Sequence, residues 1–166
     1  MNFELPAIYH ATRLLQRLIE QEVECVLIGG VAALVHGSSV STRDVDVCLR
    51  FTRENLDRLA KALADLHPMH RLTAQKLPLE ITERNWAVFK NIYVTTDWGV
   101  LDCLGEVPGL GNFDQVYSQS QVSDTPFGKC RVLTIDAIIK AKETAARPHD
   151  LRAAEELKAI RGKMKE

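Results

Sequence analysis

The chain has 166 residues, of which 46% are hydrophobic, and its 21 basic residues nearly balance its 22 acidic ones. This length predicts one compact domain over residues 1–166, because two separate cores would each be too small. The near-neutral charge argues against a protein that binds nucleic acid or a membrane through a strong overall field. Charged residues interrupt any signal-peptide or membrane-spanning pattern near the N-terminus, which predicts a cytoplasmic protein with no membrane partner: Glu4, Arg13, Arg17 and Glu20.

The predicted elements alternate between helices and strands and indicate an α+β fold, a mixed sheet with helices packed on it. In chain order they are a helix over 8–19, a strand over 24–28, a helix over 31–36, a strand over 45–51, a helix over 56–66, hairpin strands over 91–96 and 100–107, a strand pair around 126–128, and two C-terminal helices. Residues 68–90 carry no clear pattern and are predicted to be a loop with a possible strand.

The C-terminal helical pair has clear start signals. Thr134 is a predicted N-cap for a helix that runs to about Ala146, and Pro148 suits the first turn of the last helix. The spacing of apolar residues predicts that the last helix faces inward with Leu151, Ala154, Leu157 and Ile160.

Two carboxylates stand one residue apart at the second predicted strand, at Asp44 and Asp46. Side chains alternate between the faces of a strand, so both acids share one face about 6.6 Å apart while Val45 and Val47 enter the core. Two like charges at that spacing repel each other unless a cation lies over them. Mg²⁺ prefers such hard oxygen ligands, so the pair predicts a metal site, against the alternative of a solvated edge strand.

The Gly29-Gly30 pair precedes these acids. Without side chains, the two residues let backbone N–H groups approach a phosphate, and the start of the next helix adds donors and a favourable dipole. A tight loop or a Rossmann-like turn uses the same residues, although the third glycine of the dinucleotide pattern is absent. The joint spacing of glycines and acids predicts that phosphate and metal meet at one edge of the sheet.

Asp102, in the second strand of the predicted hairpin, completes the set if its strand lies beside that of Asp44 and Asp46. Phosphoryl-type transfer with two metals uses ions about 3.5–4 Å apart, one for the attacking oxygen and one for the leaving group. Three carboxylates can bridge such a pair. Asp102 is then the preferred general base for an incoming hydroxyl, with Asp97 and Glu106 as nearby alternatives.

These residues resemble a known family. The run IGG, thirteen residues, DVD, and a later strand aspartate in VLDCL are similar to the nucleotidyltransferase superfamily typified by DNA polymerase beta, in particular its small bacterial minimal and toxin-type members. GGVAALVHG resembles their glycine motif and helix, and KETAARPHD matches a Lys-to-Arg-to-Asp spacing. The resemblance covers roughly residues 23–50, 92–110 and 133–157. It implies the nucleotidyltransferase fold, with a catalytic core over about 23–133 and C-terminal helices over about 134–162.

The same resemblance implies a function. It implies magnesium-dependent transfer of a nucleoside monophosphate from a nucleoside triphosphate, ATP or another, to a hydroxyl group, with pyrophosphate leaving. By this analogy Asp44, Asp46 and Asp102 bind two Mg²⁺ ions, Asp102 also activates the acceptor, and Gly29 and Gly30 hold the triphosphate.

Further nucleotide contacts are expected from polar and basic residues near these motifs, namely Ser38, Ser39, Arg43, Lys142 and Arg147. For the serines the alternative is an ordinary polar loop, and for Lys142 and Arg147 it is favourable placement near a helix end. Many small relatives carry an arginine three residues after the His-Gly pair, where this chain has Val40. Its role either moves to Arg43 or is lost.

The sequence leaves the acceptor open among the ends of tRNA, a hydroxyl on a partner protein, and a small molecule such as an aminoglycoside, because no dominant patch selects among them. Family analogy adds a toxin-type role with an antitoxin-like partner. Two other functions compete. One is a catalytically silent module that binds nucleotides or a partner, and the other is a metal-dependent phosphohydrolase, because paired carboxylates with metal also activate water.

Overall fold

The structure, a computed structural model, describes residues 7–39 and 42–166. It confirms the α+β class. The helices are α1 (Ala7–Glu20), α2 (Gly29–Val35), α3 (Arg53–Leu63), α4 (Phe113–Ser118), α5 (Ile135–Ala145) and α6 (Pro148–Met164). The strands are β1 (Cys25–Ile28), β2 (Val45–Leu49), β3 (Met69–His70), β4 (Asn91–Thr96), β5 (Gly99–Leu104), β6 (Glu106–Val107), β7 (Gly111–Asn112), β8 (Ser120–Thr125) and β9 (Gly128–Leu133).

A seven-stranded mixed sheet forms the centre, in the order β3-β4-β5-β2-β1-β9-β8. β2 runs parallel to β5 and β1 parallel to β9, while the other neighbours are antiparallel. β6 and β7 form a separate small ribbon. The strand of Asp102 therefore lies beside the strand of Asp46, which is the condition under which Asp102 joins the other two acids.

The helices pack on this sheet and on one another. α1 contacts α3, whereas α2 contacts α5, which lies against α6. Buried leucines supply most of the large side chains of the core, and each stabilises the fold by about 1.5–3 kcal/mol relative to an exposed position. They include Leu14, Leu18, Leu27, Leu49, Leu56, Leu59, Leu63, Leu101, Leu133 and Leu157. Within the described ranges, no helix has both the length and the apolar content needed to span a membrane.

The C-terminal pair confirms two predictions and corrects one. Thr134 caps α5 by accepting a hydrogen bond from the Ala137 N–H at 3.2 Å, and Pro148 occupies the first turn of α6. The predicted inner face of α6 is wrong at Leu151, which is 44% exposed, while its neighbour Asp150 is 3% exposed. Asp150 turns inward because cations from α5 and from the start of α6 surround its carboxylate.

Near the site, one prediction differs from the structure and two agree with it. The helix after β1 begins at Gly29 itself, not after the glycine pair. β2 begins at Val45, as predicted, and Asp44 directly precedes it. Residues 68–90 are mostly loop, as predicted, and contain the short strand β3, a bridge between Met69 and Pro78, and a 3₁₀ turn over Trp86–Val88.

α4 was not predicted. It begins with a capping box in which the Asn112 side chain accepts from the Gln115 N–H and the Gln115 side chain accepts from the Asn112 N–H. This helix is too short for a periodicity argument to detect, because six residues give less than two turns.

Candidate active site

Asp46 on β2 and Asp102 on β5 are directly opposed in the parallel register of the two strands. Neighbouring strands lie about 4.8 Å apart and paired residues point to the same face, so the two carboxyl groups emerge side by side. Asp102 is buried and Asp46 is half-buried. Asp44 is exposed and stands two residues before Asp46 along the chain.

Each acid makes the electrostatic potential at the others more negative, and this contributes to a raised pKa at Asp46. Burial, followed by the charges of Asp102 and Asp44, raises the pKa of Asp46 to about 6, against the opposing effect of Lys142 and Arg71. Like charges and burial both disfavour the ionised form. Burial therefore contributes most to the raised pKa of Asp46, and the two neighbouring acids add to it.

The backbone after β1 passes close to these acids. Gly29 has φ +66°, a conformation in which residues with a Cβ are strained. A Cβ at Gly29 would overlap the Asp46 carboxylate and lie 3.0 Å from the Cβ of Asp46. Glycine is thus required here because the carboxylate fills the space that a side chain would need.

Gly30 has a similar neighbour on the segment that leads into β2. A Cβ at Gly30 would lie 2.8 Å from the Cβ of Thr42. The Thr42 hydroxyl in turn donates to the carbonyl oxygen of Asp44 at 3.3 Å. The glycine pair therefore packs against both the strand that bears Asp46 and the segment that bears Asp44.

Arg71 is the cation closest to the acids, and sequence reasoning missed it. Its backbone N–H donates to the Tyr93 carbonyl oxygen at 3.1 Å, and Tyr93 is the partner of Asp102 across β4 and β5. Its guanidinium carbon lies 5.6 Å from the centre of the Tyr93 ring. Arg71 Nε donates to Asp102 Oδ1 at 3.0 Å, and a second guanidinium N–H donates to Oδ2. Such bidentate pairs are among the strong charge-assisted hydrogen bonds.

A second charged group surrounds Asp150 at the start of α6. Arg147 Nε donates to Asp150 Oδ2 at 2.6 Å, and Lys142 Nζ and His149 Nε2 lie 3.8 and 3.7 Å from Oδ1. Burial raises the pKa of Asp150, but the hydrogen bond and charge of Arg147, with smaller contributions from His149 and Lys142, outweigh it and leave this pKa below its usual value. The Arg147 side chain is 66% exposed, so it can also reach a ligand.

One cleft of about 310 Å³ joins the two groups. Gly29, Asp46, Lys142, Arg147 and Asp150 line it, together with apolar residues from α5 and the end of β5. A larger hollow of about 550 Å³ lies beyond the end of β2. Aromatic residues line it together with Glu106 and Asp114, whereas Asp46 and Asp102 do not. The smaller cleft is the functional candidate because acids and cations both reach it.

No protein-family model and no curated protein matches the sequence. Solved structures do match the fold. The antibiotic-resistance factor ANT(2'')-Ia is 13% identical, with 95% of this chain and 90% of that chain covered and a TM-score of 0.55. A protein of Thermotoga maritima assigned as a nucleotidyltransferase is 14% identical, with 95% and 92% covered and a TM-score of 0.53.

A third match is a nucleotidyltransferase-like antigenic protein of Paracoccidioides brasiliensis. It is 14% identical, covers 89% of this chain and 73% of that chain, and has a TM-score of 0.52. The chain has the nucleotidyltransferase fold. At these identities the likeness concerns the fold, so the roles of individual residues are argued from the geometry above.

Within the nucleotidyltransferase fold, the predicted contact residues fall into two sets. Lys142 and Arg147 lie at the cleft with Gly29 and Asp46. Ser39 is instead bound to α6, because its N–H and hydroxyl donate to the Glu156 carboxylate at 2.7 and 2.6 Å.

The remaining predicted contact residues are Ser38 and Arg43. Ser38 is buried and also hydrogen-bonds Glu156, and the bonds from Ser38 and Ser39 lower the pKa of Glu156. Arg43 is exposed beside Asp44. The Val40 argument lies outside the described residues.

The residues of this nucleotidyltransferase fold suit a divalent ion by their chemistry. Within the described ranges, no three His, Cys, Asp or Glu side chains are already arranged around a common point. Asp46 and Asp102 are nevertheless in register, and Asp44 precedes Asp46 by two residues, so three carboxylates stand on or beside neighbouring strands. Asp44, Asp46 and Asp102 could therefore hold Mg²⁺, which favours carboxylate oxygens.

Proposed function

We propose that the protein is a magnesium-dependent nucleotidyltransferase, which transfers a nucleoside monophosphate from a nucleoside triphosphate to a hydroxyl acceptor and releases pyrophosphate. The observation that supports this most is the in-register pair of Asp46 and Asp102, with Gly29 closed against Asp46 and a cationic cleft alongside. Transfer of a nucleotidyl group to a hydroxyl needs a negative, metal-binding side and a positive, phosphate-binding side, and the cleft offers both.

Asp44, Asp46 and Asp102 would hold the metal. When bound, Mg²⁺ supplies positive charge that stabilises the attacking and leaving oxygens of the displacement. With a pKa of about 6, Asp46 is mostly ionised at pH 7 and is ready to serve as a ligand.

Lys142 and Arg147 bind the polyphosphate on the opposite wall of the cleft. Asp150 accepts from Arg147 and lies near Lys142, so it positions both cations. Fixed cations near the phosphates stabilise the negative charge that builds up on the leaving pyrophosphate. Removal of the Asp150 carboxylate would therefore weaken polyphosphate binding, because Lys142 and Arg147 would lose the group that positions them.

Asp102 accepts the proton of the acceptor hydroxyl. The acceptor oxygen forms a bond to the α-phosphorus, and the bond from the α-phosphorus to the oxygen bridging the β-phosphorus breaks. The electron pair of that bond leaves with pyrophosphate. Asp102 can act in this way once Arg71 has moved off its carboxylate.

The test is incubation of the purified protein with Mg²⁺, each nucleoside triphosphate and three acceptor classes: tRNA, a cell protein extract and aminoglycosides. The likeness to an antibiotic-resistance factor supports the last class. Pyrophosphate release is measured together with the mass of a nucleoside monophosphate on the acceptor. We expect activity in the wild type and in Asp65→Asn, an exposed acid paired with Arg17. Activity that persists in Asp46→Asn, or a wild type inactive with every pair, contradicts the proposal.

A catalytically silent nucleotide-binding module is the second candidate, and one observation favours it. Arg71 neutralises Asp102 with two hydrogen bonds, as a permanent substitute for a metal would. This candidate predicts thermal stabilisation by a triphosphate without pyrophosphate release. It also predicts that Asp102→Asn leaves triphosphate binding unchanged.

A further inference from the structure

Arg71 binds the carboxylate of Asp102, one of the three acids that would hold the metal, and it is not among the residues predicted from the sequence. We propose that Arg71 is a built-in competitor of the divalent ion, so that the ion reaches Asp102 only after the guanidinium has released it. The inference rests on the proposed function for its metal. It adds a residue that sets how tightly the metal binds and that must move before Asp102 can act.

Arg71 occupies both carboxylate oxygens of Asp102. Nε and a terminal nitrogen of Arg71 each donate to a different oxygen of Asp102, so both oxygens are engaged. The pair is sheltered, with 12% of the Asp102 side chain exposed. An ion that needs an Asp102 oxygen must therefore break a charge-assisted hydrogen bond in a partly desolvated place, which costs more than it would at an exposed pair.

A divalent ion would interact more favourably with the three acids than the Arg71 charge does. The Arg71 charge acts on Asp44 and Asp46 as well as on Asp102. Lys142 also acts on Asp46, and a divalent ion held by the three acids would neutralise them better than these two monovalent cations do. The exchange is possible because the incoming ion brings more charge than the guanidinium that it displaces.

The local structure allows Arg71 to leave. It follows β3, a two-residue strand at the edge of the sheet. Residues 70–77 fold back on themselves, with the His70 N–H donating to the Leu77 carbonyl oxygen at 2.8 Å. Leu72, next to Arg71, is 62% exposed. A segment with so few buried contacts can move without disturbing the core. The guanidinium already lies over the Tyr93 ring, and this contact can persist when its hydrogen bonds to Asp102 break.

The test is Mn²⁺ binding, measured by the loss of the electron-spin-resonance signal of free Mn²⁺, in the wild type, Arg71→Gln and Arg17→Gln. Arg17 is the matched control because it also pairs with an aspartate, Asp65, at 2.6 Å. We expect Arg71→Gln to bind Mn²⁺ about tenfold more tightly than the wild type, since hydrogen bonds to charged groups contribute roughly 1.5–3 kcal/mol. Arg17→Gln should bind as the wild type does.

Each outcome separates the two proposals. If the wild type binds Mn²⁺ and Arg71→Gln binds it equally or more weakly, the competition is wrong while the proposed function stands. If neither protein binds Mn²⁺, both are wrong. Tighter binding by Arg71→Gln alone supports the competition.

A measurement on the unaltered protein covers the case in which Arg71→Gln does not fold. The Nε–H resonance of Arg71 is followed by NMR while Mg²⁺ is added. We expect this resonance to shift or broaden together with the carboxyl carbon of Asp102. An Arg71 signal that stays unchanged while the Asp102 carbon responds to Mg²⁺ overturns the inference.

Discussion

Two regions of this molecule each place a shielded aspartate beside an arginine, and they differ in the sign of the charge left over. At Asp46, the charges of Asp102 and Asp44 act against those of Lys142 and Arg71, and the pKa is raised on balance by burial and the two acids. Around Asp150, one carboxylate meets Lys142, Arg147 and His149. The first group attracts a cation and the second attracts an anion. Their meeting at one cleft suits a ligand that carries both, such as a nucleoside triphosphate with its metal.

The same residue type responds in opposite ways in the two regions. Burial alone would raise the pKa of either carboxyl group. At Asp46 the neighbouring acids add to that effect and the pKa reaches about 6, while at Asp150 the cations outweigh it and the pKa falls. An ion pair by itself therefore says little about function, whereas uncompensated charge indicates what a site will bind.

Removal of one acid from the negative group should have the largest effect. Asp46→Asn and Asp102→Asn should each lower kcat by about a thousandfold, because the metal contributes several kcal/mol of transition-state stabilisation. The measurement is pyrophosphate release at saturating triphosphate and Mg²⁺. Asp114→Asn, at an exposed acid paired with Arg50, is the control and should keep full activity. A fall in kcat of less than tenfold in both Asp46→Asn and Asp102→Asn would contradict a metal-binding role for the negative group.

Gly29→Ala should disturb the negative group without changing its charge. The new Cβ would overlap the Asp46 carboxylate and the backbone would be strained at φ +66°, so we expect about 2 kcal/mol of destabilisation and about a hundredfold loss of activity. Urea denaturation and kinetics measure the two effects. Gly162→Ala, where a Cβ would have nothing within 4 Å, should instead be neutral or stabilising. Equal behaviour of the two variants would contradict the packing argument.

Asp150→Asn should act mainly on the positive group. Loss of the carboxylate weakens the hold on Arg147 and Lys142, so we expect about 2 kcal/mol of lost stability and a KM for triphosphate raised about tenfold, with a smaller change in kcat. Asp136→Asn, an exposed acid that pairs with Arg161, should cost less than about 0.5 kcal/mol. A fall in kcat at unchanged KM would show that Asp150 does more than position the two cations.

The smallest expected effect concerns pH. In metal-free buffer, folded Asp46 holds its proton more tightly than the unfolded chain does, so its contribution to stability is present below about pH 4 and is lost as the pH rises through about 6. Between these values the wild type should lose about 1–2 kcal/mol relative to Asp46→Asn, since partial exposure screens the charges. Denaturation of both proteins at several pH values measures this. Added Mg²⁺ should reduce the difference, and an unfolding free energy that rises with pH relative to the variant contradicts it.

Local sequence rules predicted much of the fold. Helical spacing in the first helix, Thr134 as a cap and Pro148 at a helix start each act within one or two turns, and each is found in the structure. Alternation along the strands also placed Val45 and Val47 in the core. The six-residue helix α4 was missed because a helix of that length carries too few residues for a periodic pattern.

The sequence by itself determined the acids, the glycine pair and the strands that carry them, because strand alternation and turn chemistry depend on neighbours in the chain. The tertiary structure alone decided that Arg71 binds Asp102, 31 residues away, through the order of β3, β4 and β5. It also decided that Asp150 faces inward while Leu151 faces solvent, against the apolar spacing of α6. Charge compensation depends on which strands and helices become neighbours in space, and periodicity within one element does not encode that choice.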